Sequence, residues 1–182
     1  MFTPLNNKKS VRWFVMRDLK RANCKRPAHR LLKEKNVEVF TPMKWRLSVI
    51  QGKKVRQEIP CIPDLLFVHD CREHLDPLVE EIVTVQYRWV RGSYREPMVV
   101  SDADMERFIH AVSQSESPKY YLPEEITPAM VNRKIRIVGG PLDGYEGTLL
   151  TTRGSKVKRL LVELPSLLSV GVEVNPDYIQ FI

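Results

Sequence analysis

Residues 136–147 read RIVGGPLDGYEG, a β-branched run that ends in Gly139 and Gly140, passes Pro141 and Asp143, and meets two more glycines at 144 and 147. A strand followed so closely by this much backbone freedom marks a sharp turn and a bend into the next strand. Glycine takes positive φ without a Cβ cost, Pro141 presets a turn, and Asp143 can bond back to the backbone. Gly147 then falls at a bulge or corner of the second strand. A phosphate cradle has the wrong ending, because no GKS/T sequence and no helix pattern follows.

Working outward, RKIRIV, YEGTLLT, VKRLLVEL, SVGVEV and YIQFI are five short strand candidates between residues 133 and 182. Short, frequent strands with glycine turns predict a small barrel. Within SKVKRLLVELPSLLSV, residues 155–170, the leucines 160, 161, 164, 167 and 168 suit a helix face as well as strands. Pro165 and the β-branched residues after it favour the barrel. Upstream, SQSESPKYYLPEEITP at 113–128 has three prolines and no periodicity, the composition of a flexible linker.

The first 112 residues have another pattern. VRWFVMR at 11–17 reads as a strand, followed by a basic segment to Asn36 whose regular helix starts only near Arg26, because Pro27 is tolerated in a first turn. VEVFTPMKW at 37–45 returns as a strand, and a basic hairpin has its tip at Gly52. DLLFVHD is apolar enough for a central strand. CREHLDPLVEEI predicts a short helix interrupted by Pro77. Val83, Val85, Tyr87 and Trp89 alternate on one face of a further strand, and Met105, Phe108, Ile109 and Val112 share the face of a last helix capped by Ser101 or Asp102.

The 29 Lys and Arg against 22 Asp and Glu give a net charge of +7, and they are unevenly placed. Residues 1–60 hold 16 basic and 4 acidic side chains, a net +12, and residues 61–182 hold 13 against 18, a net −5. A basic surface of this kind attracts phosphate backbones. No stretch resembles a signal peptide or a membrane span, and Cys24, Cys61 and Cys71 form no CxxC pair, so a reduced, cytoplasmic protein without membrane contact is expected. HDCREH offers His69, Cys71 and His74, but a strand end and a helix start aim them apart, so no metal and no cofactor are expected. With no nucleophile elbow and no triad spacing, an enzyme is not expected.

NRKIRIVGGPLDGYEGTLL resembles a KOW motif, carried by Gly140, Pro141, Asp143, Gly144 and Gly147. Joined to the WFV strand, the basic helix, VEVFTP and IPCIPDLLFV, it makes the chain resemble the NusG family from about Val11 to Ile182. The long hairpin insert resembles the specialised UpxY-type antiterminators of surface-polysaccharide operons. The resemblance implies an α+β protein: an NGN domain over 1–112, an α/β sandwich with an antiparallel sheet flanked by helices, then a linker over 113–128 and a five-stranded SH3-like KOW barrel over 129–182. Asp64, Leu65 and Phe14 depart from the Gly, Tyr and Tyr common in the family, and an acid at 64 needs a basic partner.

The implied activity is transcription elongation or antitermination, by a monomer that docks on the clamp of the largest RNA polymerase subunit. The implied apolar contact is Trp13, Phe14, Phe40, Pro63, Leu66 and Phe67, although at least half of these must build the domain's own core, with Trp13 and Phe67 favoured for it. Non-template or upstream DNA would lie along Lys20, Arg21, Lys25, Arg26 and Arg30, and along the hairpin cations Lys44, Arg46, Lys53, Lys54 and Arg56. The KOW domain would recruit a ribosomal protein, a termination factor or RNA. The alternative is a ribosome-associated or general RNA-binding KOW protein without polymerase contact, for which Arg133, Lys134, Arg136, Arg153, Lys156, Lys158 and Arg159 supply charge.

Overall fold

A computed structural model describes residues 10–20, 25–151 and 153–182. It divides into two compact units, residues 1–102 and 103–182.

The first unit is built on four antiparallel strands in the order β2-β5-β1-β6, with β7 also pairing β1. These are β1 (Arg12–Asp18), β2 (Glu38–Phe40), β5 (Leu66–Asp70), β6 (Val85–Tyr87) and β7 (Val99–Val100). Trp13 to Met16 and Leu65 to Val68 are all buried. These strands bury both faces, so their sequences are continuous apolar runs and not alternations. On one face Phe14, Met16, Leu66 and Val68 pack with Ala28 and Leu32 of α1 (Ala28–Glu34) and Leu75 and Leu78 of α2 (Arg72–Glu81). On the other, Trp13 stacks on His69 at 4.7 Å between ring centres and Phe67 meets Phe40 at 6.2 Å.

Two expectations need correction here. α2 runs unbroken through Pro77, which removes one helical N–H while the buried Leu75 and Leu78 on either side anchor the turn. Residues 37–45 do not form one strand: Thr41 and Pro42 separate β2 from β3 (Met43–Ile50), which pairs only with β4 (Lys53–Pro60) in a separate two-stranded sheet. Its turn puts Gln51 at φ 49° and Gly52 at φ 76°, the doubly left-handed turn whose twist suits a hairpin. Of the alternating residues at 83–89, Val85 and Tyr87 are buried, and Val83 and Trp89 are exposed.

The second unit takes in α3 (Asp102–Ser113) beyond its first residue. Phe108 reaches the Tyr120 ring at 6.4 Å, the Tyr145 hydroxyl donates to the Arg107 carbonyl at 3.1 Å, and His110 Nδ1 lies 2.9 Å from that hydroxyl. Met105, Phe108 and Ala111 are buried, while Ile109 and Val112 are half-buried. Inside the expected linker, β8 (Lys119–Tyr121) pairs with β12 and Pro123–Glu125 forms a 3-10 turn. The five strands expected further on are β9 (Val131–Ile137), β10 (Glu146–Leu150), β11 (Arg159–Leu164), β12 (Leu168–Glu173) and β13 (Ile179–Phe181). The sheet order is β13-β9-β10-β11-β12-β8, antiparallel throughout, around Ile135, Ile137, Leu149, Leu160, Val162, Leu164 and Val170. The α+β class stands, and the leucine-rich segment is a strand pair joined at Pro165 and Ser166.

The glycine-rich turn closes as expected, with two different reasons for its glycines. Gly140, at φ 71°, lies under the Tyr178 ring, where a Cβ would come within 2.8 Å of a ring carbon. Gly147 is not at the bulge. It is in register with Ile135, the ladder shifts between Thr148 and Leu150, and a Cβ at 147 would sit 2.6 Å from the Leu161 carbonyl oxygen. Close approach of β11 therefore requires Gly147. Gly147→Ala is expected to cost about 2–3 kcal/mol by overpacking. Gly144→Ala meets open space at φ 78° and costs about 1 kcal/mol of backbone strain. Amide exchange at Leu160 and Leu161 measures both, and equal losses would contradict the close-approach account.

Candidate nucleic-acid interface

α1 is a short helix with few reasons of its own to form. Pro27, its N-cap, provides no side-chain acceptor, and no acid occupies the first turn. The missing cap comes from ten residues upstream: Asp18, buried at the end of β1, accepts the Ala28 N–H through Oδ2 at 2.8 Å and the Lys20 N–H through Oδ1 at 2.9 Å. A carboxylate at a helix start also suits the helix dipole. At the other end Val37 N–H donates to Leu32 O and Asn36 N–H to Lys33 O, with Asn36 at φ 59°, a Schellman closure. The helix is thus held at both ends, with Ala28 and Leu32 inward and its basic residues outward.

Those basic residues line one wall of a cavity of about 810 Å3, whose other wall is the β3–β4 hairpin. Lys25, His29, Arg30 and Lys33 face Arg46, Ser48, Gln57 and Ile59, with Pro27, Thr41, Met43 and Pro60 between the walls. Among the described lining residues Glu58 is the one carboxylate. Four cations around a shared void repel each other, and an anion bound there relieves that repulsion. His29 registers the same field. Burial first, then Arg30 and Lys33, push its pKa below the usual 6.5, against the pull of Asp18.

Of the expected nucleic-acid residues, Lys25, Arg30 and Arg46 meet in this groove. Arg26 is ion-paired with Glu34 at 2.7 Å, Lys20 Nζ donates to the Arg26 carbonyl at 3.0 Å, and Arg21, like Cys24, lies outside the described residues. Lys44, Lys53 and Lys54 are exposed on the hairpin, and Arg56 stacks over Trp45 at 4.3 Å. His29 and Lys33 join the groove without having been singled out for it. Their i,i+4 spacing, which puts them on one helix face, was the available signal.

The expected apolar contact is corrected in part. Trp13, Phe14, Leu66 and Phe67 are 0–3% exposed, because β1 and β5 are covered on both faces, so these side chains build the core. Phe40 is half-buried at the end of β2 and Pro63 is exposed. Asp64 has its basic partners, Arg17 at 3.5 Å and Arg88 at 3.3 Å. The HDCREH histidines pair separately, His69 with Glu38 at 2.7 Å and His74 with Asp70 at 2.6 Å.

A family model for NusG, described as transcription termination factor nusG, matches residues 11–109. No curated protein sequence matches the chain. Among solved structures, one described as domain interaction in Thermotoga maritima NusG matches with a TM-score of 0.47 and 13% identity, over 95% of this chain and 98% of that one.

The His29 shift sets a sign. With a folded-state pKa below 6.5, the unfolded chain takes up the proton first, so His29 costs stability as pH falls through 6.5. A phosphate in the groove favours the imidazolium, so anion binding takes up a proton and strengthens over the same window. In NMR titrations the His29 ring midpoint is expected below 6.5 in the free protein and higher with a saturating DNA duplex. A midpoint unmoved by the duplex would show that the groove does not hold the anion.

Proposed function

The chain belongs to the NusG family, and from that premise we propose that it is a transcription elongation and antitermination factor that binds RNA polymerase through its first unit, suppresses pausing or termination, and recruits a second partner through its second. The observation that carries this reading is the basic groove between α1 and the hairpin. A factor that travels with polymerase meets every sequence, so its nucleic-acid contact must be to phosphates and not to bases. Lys25, Arg30, Lys33 and Arg46 supply that contact, steering upstream or non-template DNA across the first unit.

The polymerase contact falls to residues that remain accessible on the same unit. Phe40 and Pro63 keep their candidacy, while Trp13, Phe14, Leu66 and Phe67 act by holding the sheet rigid beneath them. The clamp of the largest subunit is the proposed docking site. The long hairpin supports placement in the specialised branch of the family, and the second unit is the proposed receptor for a ribosomal protein, a termination factor or RNA.

Transcription by purified RNA polymerase on a template with a pause and a terminator tests this directly. The intact chain is expected to co-elute with the elongation complex and to raise read-through. The Lys25→Ala, Arg30→Ala, Arg46→Ala variant, altered only at the solvent-facing groove, is expected to lose most of that effect. Its DNA-binding salt dependence should be shallower by about three counterions. An intact chain that binds RNA but neither co-elutes nor alters read-through would favour the RNA-binding KOW reading instead.

A further inference from the structure

The first unit has another cavity, of about 340 Å3, that shares no residue with the groove. Its apolar lining is Phe14 of β1, Val99 of β7 and Pro97 between them in the sheet's edge. These three are fixed by backbone pairing. Phe14 is in register with Val99, Pro97 bridges to Trp89, and the Val90 N–H donates to the Glu96 carbonyl at 2.8 Å. The charged lining is Arg12 at the start of β1, Arg72 and Glu73 at the start of α2, and Glu96. Arg72 is ion-paired with Asp76 at 3.4 Å and lies over the Tyr87 ring at 5.7 Å. Arg12 donates from Nε to the Ser10 hydroxyl at 2.9 Å, and among the described residues Arg12, Glu73 and Glu96 form no ion pair. Opposite charges that line one cavity without meeting across it are completed by a ligand that carries both signs.

We propose that this cavity binds a free α-amino acid with an apolar side chain, its carboxylate on Arg12, its ammonium on Glu73 and Glu96, and its side chain against Phe14, Pro97 and Val99. The volume lies at the small end of the roughly 300–1,000 Å3 range of ligand sites, the size for a single amino acid. Other occupants fit less well. A simple anion would face two carboxylates, a simple cation would face two guanidinium groups, and a neutral apolar molecule would leave all of these charges unmatched. The interior of a peptide chain carries neither terminal charge. A bound amino acid joins the start of β1, the start of α2 and the segment leading into β7, so it stabilises the first unit in proportion to its occupancy. Because the groove takes no part, this site stands or falls independently of the polymerase reading.

NMR titration of the full chain with L-phenylalanine and L-leucine tests the assignment. The amides of Arg12, Glu73, Glu96 and Val99 are expected to shift and saturate, with a Kd on the order of 1 mM or below for at least one of the two. Phenylalaninamide, which lacks the carboxylate, and N-acetyl-phenylalanine, which lacks the ammonium, are each expected to bind about tenfold more weakly than phenylalanine. Arg12→Gln lowers phenylalanine affinity about tenfold and leaves the amide's affinity unchanged, and the Glu73→Gln, Glu96→Gln variant does the same with the N-acetyl compound as the insensitive ligand. All three side chains are exposed, and unmoved Leu32 and Leu75 amides in the free variants confirm that the fold is kept. Shifts at the cavity that stay linear up to about 20 mM, or variants that weaken every ligand equally, would overturn the proposal. Phenylalaninamide binding as tightly as phenylalanine would also overturn it, and assign the cavity to the amino terminus of a peptide.

Discussion

The carboxylate of Asp18 is the contact on which the first unit's chemistry depends. Without it the N-terminal end of α1 has a proline cap with no acceptor, and the Ala28 N–H is left in the interior without a partner. An unmet buried donor costs about 1–3 kcal/mol, a large sum for a helix of seven residues. By joining the end of β1 to the start of α1, Asp18 fixes both where the helix lies and which way it is turned. Ala28 and Leu32 then meet Phe14, Met16, Leu66 and Val68, and His29, Arg30 and Lys33 line the groove beside the hairpin. The same carboxylate draws His29 toward its charged form, so the structural anchor is also part of the groove's field.

The hairpin completes this arrangement because its sheet is its own. Thr41 and Pro42 end pairing with the main sheet, and β3 and β4 form a two-stranded ribbon of their own. Along the hairpin Arg46, Ser48 and Gln57 line the groove while Trp45, Leu47 and Val49 are exposed, and at its root Met43, Glu58 and Pro60 reach the groove as well.

Much of this was legible beforehand, and the remainder was hidden for identifiable reasons. Turn chemistry is local, so Gly52 marked the hairpin and the Gly139 to Gly147 stretch marked a strand-to-strand bend. The five strands after residue 130 were legible from the spacing of their β-branched residues. Asp18 was not, because its helix begins ten residues later and the cap is tertiary. Three residues, Lys119–Tyr121, were too short between prolines to read as the edge strand they form. Composition also cannot separate exposed from buried aromatic residues in strands covered on both sides; the core was the expected place of Trp13 and Phe67, while the burial of Phe14 was hidden. Among the cations, Arg26 and Lys33 look alike in sequence, yet Arg26 is paired with Glu34 and Lys33 lines the groove.

The central claim is that the groove holds nucleic acid while the protein rides on polymerase. A photo-crosslinking side chain at Ser48, on the groove wall, tests it in a stalled elongation complex with end-labelled DNA strands. The account predicts a covalent adduct to upstream or non-template DNA that disappears when Lys25, Arg30 and Arg46 are neutralised. A chain that is retained on the complex and crosslinks to protein alone would contradict it.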